Sequence, residues 1–128
     1  MTAGTRGAQG GDGRRGRRTP VDLEAVIGGR TPRKARVADL SLVGCLVRTE
    51  AALAGGAVLD LVLELPDGPL RTKARVAEAS LDGEAPPGPR SFMAGLEFLA
   101  LGAGDEVRLR GFLEAETKRR RVANTPPA

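Results

Sequence analysis

The chain has 128 residues, room for one domain of ordinary size. Its 20 Lys and Arg and 16 Asp and Glu are unevenly placed: residues 1–36 carry nine basic and three acidic side chains and the rest eleven and thirteen, so a +6 segment leads a −2 body. With no His, one Cys, three Phe and neither Trp nor Tyr, the chain cannot build a His/Cys zinc site, a Ser-His-Asp triad or an internal disulfide, and it has few aromatic platforms on which bases could stack.

Residues 1–13 contain five Gly and no aliphatic pattern, too little apolar surface to offset ordering, and are expected to be a disordered tail. Residues 14–20, Arg-Arg-Gly-Arg-Arg-Thr-Pro, form a dense basic arm at the head of a domain expected to span 14–121, with 122–128 a second disordered tail. Inside the domain the dominant period is two, the mark of strands with one buried face. Val21, Leu23, Ala25 and Ile27 alternate with polar neighbours up to the turn at Gly28-Gly29. Residues 33–40 and 44–49 form a strand pair around a bend at Ser41 to Gly44. Leu59, Leu61, Leu63 and Leu65 lead into Pro66-Asp67-Gly68, and Leu70, Thr72, Ala74 and Val76 follow it, which reads as a hairpin with Arg71, Lys73 and Arg75 on its solvent face. A loop from Asp82 to Pro89 precedes a last strand marked by Phe92, Ala94, Leu96 and Phe98. Six short strands point to an antiparallel barrel or sandwich. After Gly104 the period turns helical: Leu109, Phe112, Leu113 and Glu116 fall on one stripe, Asp105 can cap the helix or sit in its first turn, and Lys118 to Arg121 fall in the last. This helix is expected to cover an open side of the sheet, and Gly111 weakens it. Cys45 reads as a small buried hydrophobe.

Two clusters carry possible chemistry. Arg14 and Arg18 satisfy RxxxR within the basic arm, with Arg15 and Arg17 as possible substitutes in register; Asp39, Ser41 and Gly44 satisfy (D/N)xSxxG at the strand-to-strand bend. In this order, with Gly95-Leu96-Glu97-Phe98 in the last strand, they resemble the PilZ family of cyclic di-GMP receptors. The likeness extends over about residues 14–115, with Val43 and Gly16 departing from common family choices. The resemblance implies an all-β fold, a six-stranded antiparallel PilZ-like barrel with one C-terminal helix. It also implies a non-enzymatic receptor in bacterial second-messenger signalling, with motility or surface polysaccharide among its outputs. The expected ligand-binding residues are Arg14, Arg18, Asp39, Ser41 and Gly44; no metal, cofactor or catalytic residue is expected.

The residue chemistry suits that ligand. An arginine fork bonds phosphate or the guanine O6/N7 edge bidentately and stacks on a base. Asp39 can accept from guanine N1–H and N2–H, and the Ser41 hydroxyl can donate or accept beside it. Gly44 either admits a ligand close to its backbone or supplies a positive φ, Asp-x-Ser is also a common turn, and Gly95 reads as a bulge or a close strand contact. The expected behaviour is a stand-alone adaptor, soluble and cytoplasmic, without a membrane span. Its arm would order over cyclic di-GMP and present a new surface to a downstream protein. The rival readings are a small-barrel nucleic-acid binder, against which the scarce aromatics count, and a protein-interaction module that takes no nucleotide.

Overall fold

A computed structural model describes residues 16–28, 31–81 and 91–123. The Gly-rich N-terminal segment, Arg14, Arg15, the 82–89 loop and residues 124–128 lie outside the described residues. The elements are β1 (Thr19–Gly28), β2 (Arg33–Leu40), β3 (Gly44–Thr49), β4 (Val58–Leu65), β5 (Gly68–Leu81), β6 (Phe92–Phe98) and α1 (Ala103–Ala123). The strands close into an antiparallel barrel in the order β1-β2-β3-β6-β5-β4, and β1 seals it against β4 from Ala25↔Leu63 to Gly28↔Asp60. Closure removes both sheet edges.

Period-two alternation builds the interior. Ala25, Ile27, Val37, Val47, Leu61, Leu63, Leu70, Ala74 and Val76 are at most 1% exposed. Their neighbours Glu24, Arg36, Lys73 and Arg75 point outward, where Lys73 pairs with Asp60 and Arg75 with Glu97. The three phenylalanines are half-buried rather than displayed. β4 and β5 turn through Pro66-Asp67 between the paired residues Leu65 and Gly68. Gly68 takes a φ of 129°, a conformation that side chains other than glycine's resist. β5 continues five residues beyond Val76, the last residue marked by alternation: its first half pairs with β4 and its second with β6, an offset that gives the barrel its stagger. The register shifts between Val76 and Glu78, opposite Gly95. The bulge therefore belongs to β5, and a Cβ on Gly95 would meet only Glu78 Cγ at 3.8 Å.

α1 closes one end of the barrel. Leu109 is fully buried and Leu113 nearly so within the core cluster, with Leu101 and Phe112 packed beside them. The helix runs two residues past Arg121, where the sequence pattern ends, and carries Asp105 and Glu106 in its first turn and Arg120 and Arg121 in its last, both favourable to its dipole. Glu116 lies on the inward stripe and is held by Arg119 Nη2 at 2.5 Å and Arg120 Nε at 3.1 Å.

Arg108 anchors the start of this helix to the β4–β5 turn. Its guanidinium donates to Asp67 Oδ1 at 2.9 Å, Asp67 Oδ2 at 3.2 Å, the Gly68 carbonyl at 2.8 Å and the Pro69 carbonyl at 3.2 Å. The Arg108 hydrogen bonds to its two oxygens hold the Asp67 carboxyl below the usual carboxylate range. Because the folded value lies below the unfolded one, the ionic contribution is complete above a pH of about 4 and is lost as pH falls through the folded value. The Tm gap between wild type and Asp67→Asn is expected to be constant at neutral pH and to close in acid below about pH 4. A gap unchanged by acid would mean that the charge of Asp67 contributes nothing to the anchor.

Candidate functional site at the barrel rim

The bend between β2 and β3 is built by Ser41. Its backbone N–H donates to the Gly44 carbonyl at 2.9 Å. Its hydroxyl donates to the same carbonyl at 3.2 Å and accepts the Val43 and Gly44 N–H groups at 3.1 and 3.2 Å. One donor and two acceptor positions fill a hydroxyl's capacity, and Ser41 is 1% exposed. Of the two sequence readings of this serine, the turn is the one seen in its hydrogen bonds.

Gly44 is the first residue of β3, paired with Glu97. It has no positive φ; among the described residues Gly56 and Gly68 do. The need for glycine comes instead from β6, because a Cβ at position 44 would lie 2.2 Å from the Leu96 carbonyl oxygen. The close approach expected at this residue is thus already made by the protein's own backbone. Val43 accepts the Phe98 N–H at 2.9 Å and leaves its side chain 42% exposed on the rim.

Asp39 reaches the surface through a change of strand phase. Ala35 and Val37 point inward, and strict alternation would bury residue 39 as well. The register with β3 shifts between Val37 and Asp39, so Leu40 becomes the inward residue, fully buried, and Asp39 turns to the rim. On the other side, β1 pairs Thr19 with Leu40 and Pro20 with Asp39. Arg18, the residue before β1, is thereby placed beside the carboxylate, and its Nη1 donates to Asp39 Oδ1 at 2.6 Å across 21 positions of sequence. The Arg18 side chain remains 55% exposed and that of Asp39 22%, so both keep donor and acceptor positions open to solvent.

The structure therefore brings Arg18, Asp39, Ser41 and Gly44 together at one end of the barrel. Ser41 and Gly44 shape the bend; Arg18 and Asp39 are displayed on it. Arg14 and Arg15 lie outside the described residues. Arg17 is exposed and lines a groove of about 670 Å³ between the rim and α1, floored in part by Leu42 and Leu113. Sequence reasoning did not assign the helix a place at this site, although Arg110, Glu114 and Lys118 fall at i, i+4 and i+8 on one stripe. Cys45 beneath the bend is fully buried, and burial pushes its thiol up to about 12, which leaves it protonated and unreactive. Arg71 and Arg75, a second RxxxR by spacing, lie on the outer wall, where Arg75 pairs with Glu97, the residue of β6 that lies opposite Gly44.

A further concavity, of about 580 Å³, is lined by residues of β1, β2 and β3 and by Glu50 and Glu64. Its charges are mixed, and Arg36 there is engaged by Asp22 and Glu24. Among the described residues no group of three or more His, Cys, Asp or Glu is placed to hold a metal ion, and no helix is long and apolar enough to cross a membrane.

Comparison with solved structures places this barrel among similar ones. The inhibitor of motility MotI/DgrA of Bacillus subtilis matches with a TM-score of 0.66 at 22% identity over 84% of this chain and 51% of its own. The PilZ domain of YcgR from Escherichia coli, solved with c-di-GMP, matches at 0.69 and 15% identity over 84% of this chain and 95% of that domain. MrkH of K. pneumonia matches at 0.71 and 16% identity over 81% and 48%. The chain thus spans about half the length of MotI and of MrkH. No curated protein matches it. The PilZ domain family model matches residues 12–115, an interval that takes in the basic arm, all six strands, the bend and the helix as far as Ala115: the chain belongs to the PilZ domain family.

Proposed function

We propose that this PilZ domain is a non-enzymatic receptor for cyclic di-GMP and that it signals to a separate protein. The observation that carries the reading is the Arg18–Asp39 pair. The strand pairing brings an arginine fork and a carboxylate into contact at 2.6 Å on a rim where both remain accessible. Those two groups are the complement of a guanine nucleotide. Arg18 offers unused N–H donors for the guanine O6/N7 edge or a phosphate, and Asp39 offers an acceptor for N1–H and N2–H, which adenine cannot satisfy. That YcgR is solved with c-di-GMP, and MrkH as a c-di-GMP complex, supports the same ligand here.

In the proposed mechanism Arg14 joins Arg18 on the ligand while Ser41 and Gly44 keep the bend in shape. The arm from residue 14 is ordered by those contacts, and the covered rim becomes the surface that a partner protein reads. Similarity to an inhibitor of motility and to the PilZ domain of a cellulose-synthesising bacterium's CeSA supports motility or polysaccharide production as the output. The half-buried phenylalanines leave the nucleic-acid alternative without a row of stacking platforms.

Calorimetric titration of cyclic di-GMP into the full chain at physiological salt, with GMP and cyclic di-AMP as controls, tests the proposal. Calorimetry suits a chain without Trp or Tyr. Saturable binding of cyclic di-GMP that cyclic di-AMP does not reproduce is expected. Absence of heat together with an unchanged Tm at high ligand would overturn the receptor reading.

A further inference from the structure

The groove beside the motif has a composition that barrel closure does not require. Its barrel side is formed by Arg17, one residue before the motif arginine, and by Leu42, inside the motif bend. Its other wall is α1, which contributes Arg110, Leu113, Glu114 and Lys118. Leu42 and Leu113 are each 9% exposed and make an apolar floor. Its charged lining is four cations, Arg17, Arg110, Lys118 and Arg121, and the single carboxylate of Glu114. Arg110 is shared with Glu106 at 2.8 Å, whereas Arg17 and Lys118 make no ion pair among the described residues. Apolar floor and cationic rim together match a group with a flat or sugar-like body and a fixed negative charge, and the volume of about 670 Å³ is of small-molecule size.

We propose that this groove is the second half of the ligand site: it receives the distal phosphate of the same cyclic dinucleotide whose guanine is held by Arg18 and Asp39, with Lys118 and Arg110 as its partners on the helix. The inference rests on the cyclic di-GMP reading. It adds that the ligand bridges two elements, the barrel rim and α1, that otherwise meet through packing and the Arg108 anchor. Occupancy is then felt along the exposed face of the helix as well as at the arm. Glu114 is the opposing charge, so its removal strengthens binding while loss of either cation weakens it.

The test is calorimetric titration of cyclic di-GMP into the full chain, its Arg110→Ala/Lys118→Ala double variant, Glu114→Gln and Arg18→Ala, at two salt concentrations. All these side chains are exposed, so the Tm of the ligand-free variants reports that folding is intact. Binding to the double variant is expected to weaken on the order of tenfold with a shallower salt dependence, and Glu114→Gln to tighten it about twofold, at one ligand per chain throughout. Wild-type affinity in the double variant alongside a large loss in Arg18→Ala would overturn the groove and leave the receptor intact. Two ligands per chain, with only the second lost in the double variant, would overturn the bridging of a single molecule. No binding by the wild type would remove the receptor reading and this inference with it.

Discussion

Replacing Arg18 with alanine is expected to weaken cyclic di-GMP binding by about 5- to 150-fold, the range for loss of one bidentate arginine contact to guanine. The fold should tolerate the change. Arg18 precedes β1, its side chain is 55% exposed, and its bond to Asp39 is a solvent-accessible ion pair, a class of interaction that contributes little to stability. The loss therefore belongs to the ligand. Arg75→Ala is the matched control: Arg75 also has an exposed side chain and an ion pair, with Glu97, and it belongs to an RxxxR by spacing, yet it stands on the outer wall in the middle of β5. Its removal should leave affinity within about twofold, because its guanidinium is held by Glu97 on the outer wall and belongs to neither the arm nor the bend. Equal losses in the two variants would show that general positive charge, rather than a positioned fork, binds the nucleotide. The assignment of the arm and the bend as one site would then fail.

The largest effect on stability is expected from Gly44→Ala. A Cβ there would sit 2.2 Å from the Leu96 carbonyl oxygen, with the Leu96 carbonyl carbon at 3.2 Å and Glu97 Cα at 3.3 Å. All three are backbone atoms of a paired strand and cannot rotate away. Relief requires β3 and β6 to separate locally, which breaks ladder bonds beside the site; overpacking of this kind costs about 3 kcal/mol, or on the order of 12–24 °C in Tm for a domain of this size. The same substitution has the opposite sign at Gly111, mid-helix, where a Cβ meets nothing within 4 Å. There alanine should add about 1 kcal/mol through helix propensity alone. Thermal unfolding of the two variants side by side separates conformational cost from steric cost. A Gly44→Ala protein melting within about 2 °C of wild type would remove the packing explanation for this glycine.

Much of the architecture is legible in the residues. Alternation in Val21 to Ile27, Leu59 to Leu65 and Leu70 to Val76 marks strands with one buried face. Pro66-Asp67-Gly68 marks a turn, and the spacing of Leu109, Phe112 and Leu113 marks the closing helix. Each of these signals is local: a side chain's face follows from its neighbours two, three or four positions away. The motif residues were legible by the same kind of spacing; the bulge that turns Asp39 outward was not, because it is a shift of register against β3.

The tertiary structure decided the rest, because it depends on partners far along the chain. Nothing near residues 19–28 says that this strand will close the barrel against residues 58–65, or that the last strand will enter between the third and the fifth. Which faces meet is settled by the register that buries the inward-facing apolar side chains together. Gly44 acquires its reason from Leu96, Arg18 acquires Asp39, and Arg108 acquires Asp67, at separations of 52, 21 and 41 residues. The sequence by itself determined six strands, a closing helix and the two motifs that resemble the PilZ family. Only the folded chain placed an arginine on a carboxylate at the rim and laid a cationic helix face beside them, because contacts of that range depend on which strands pair and in what register.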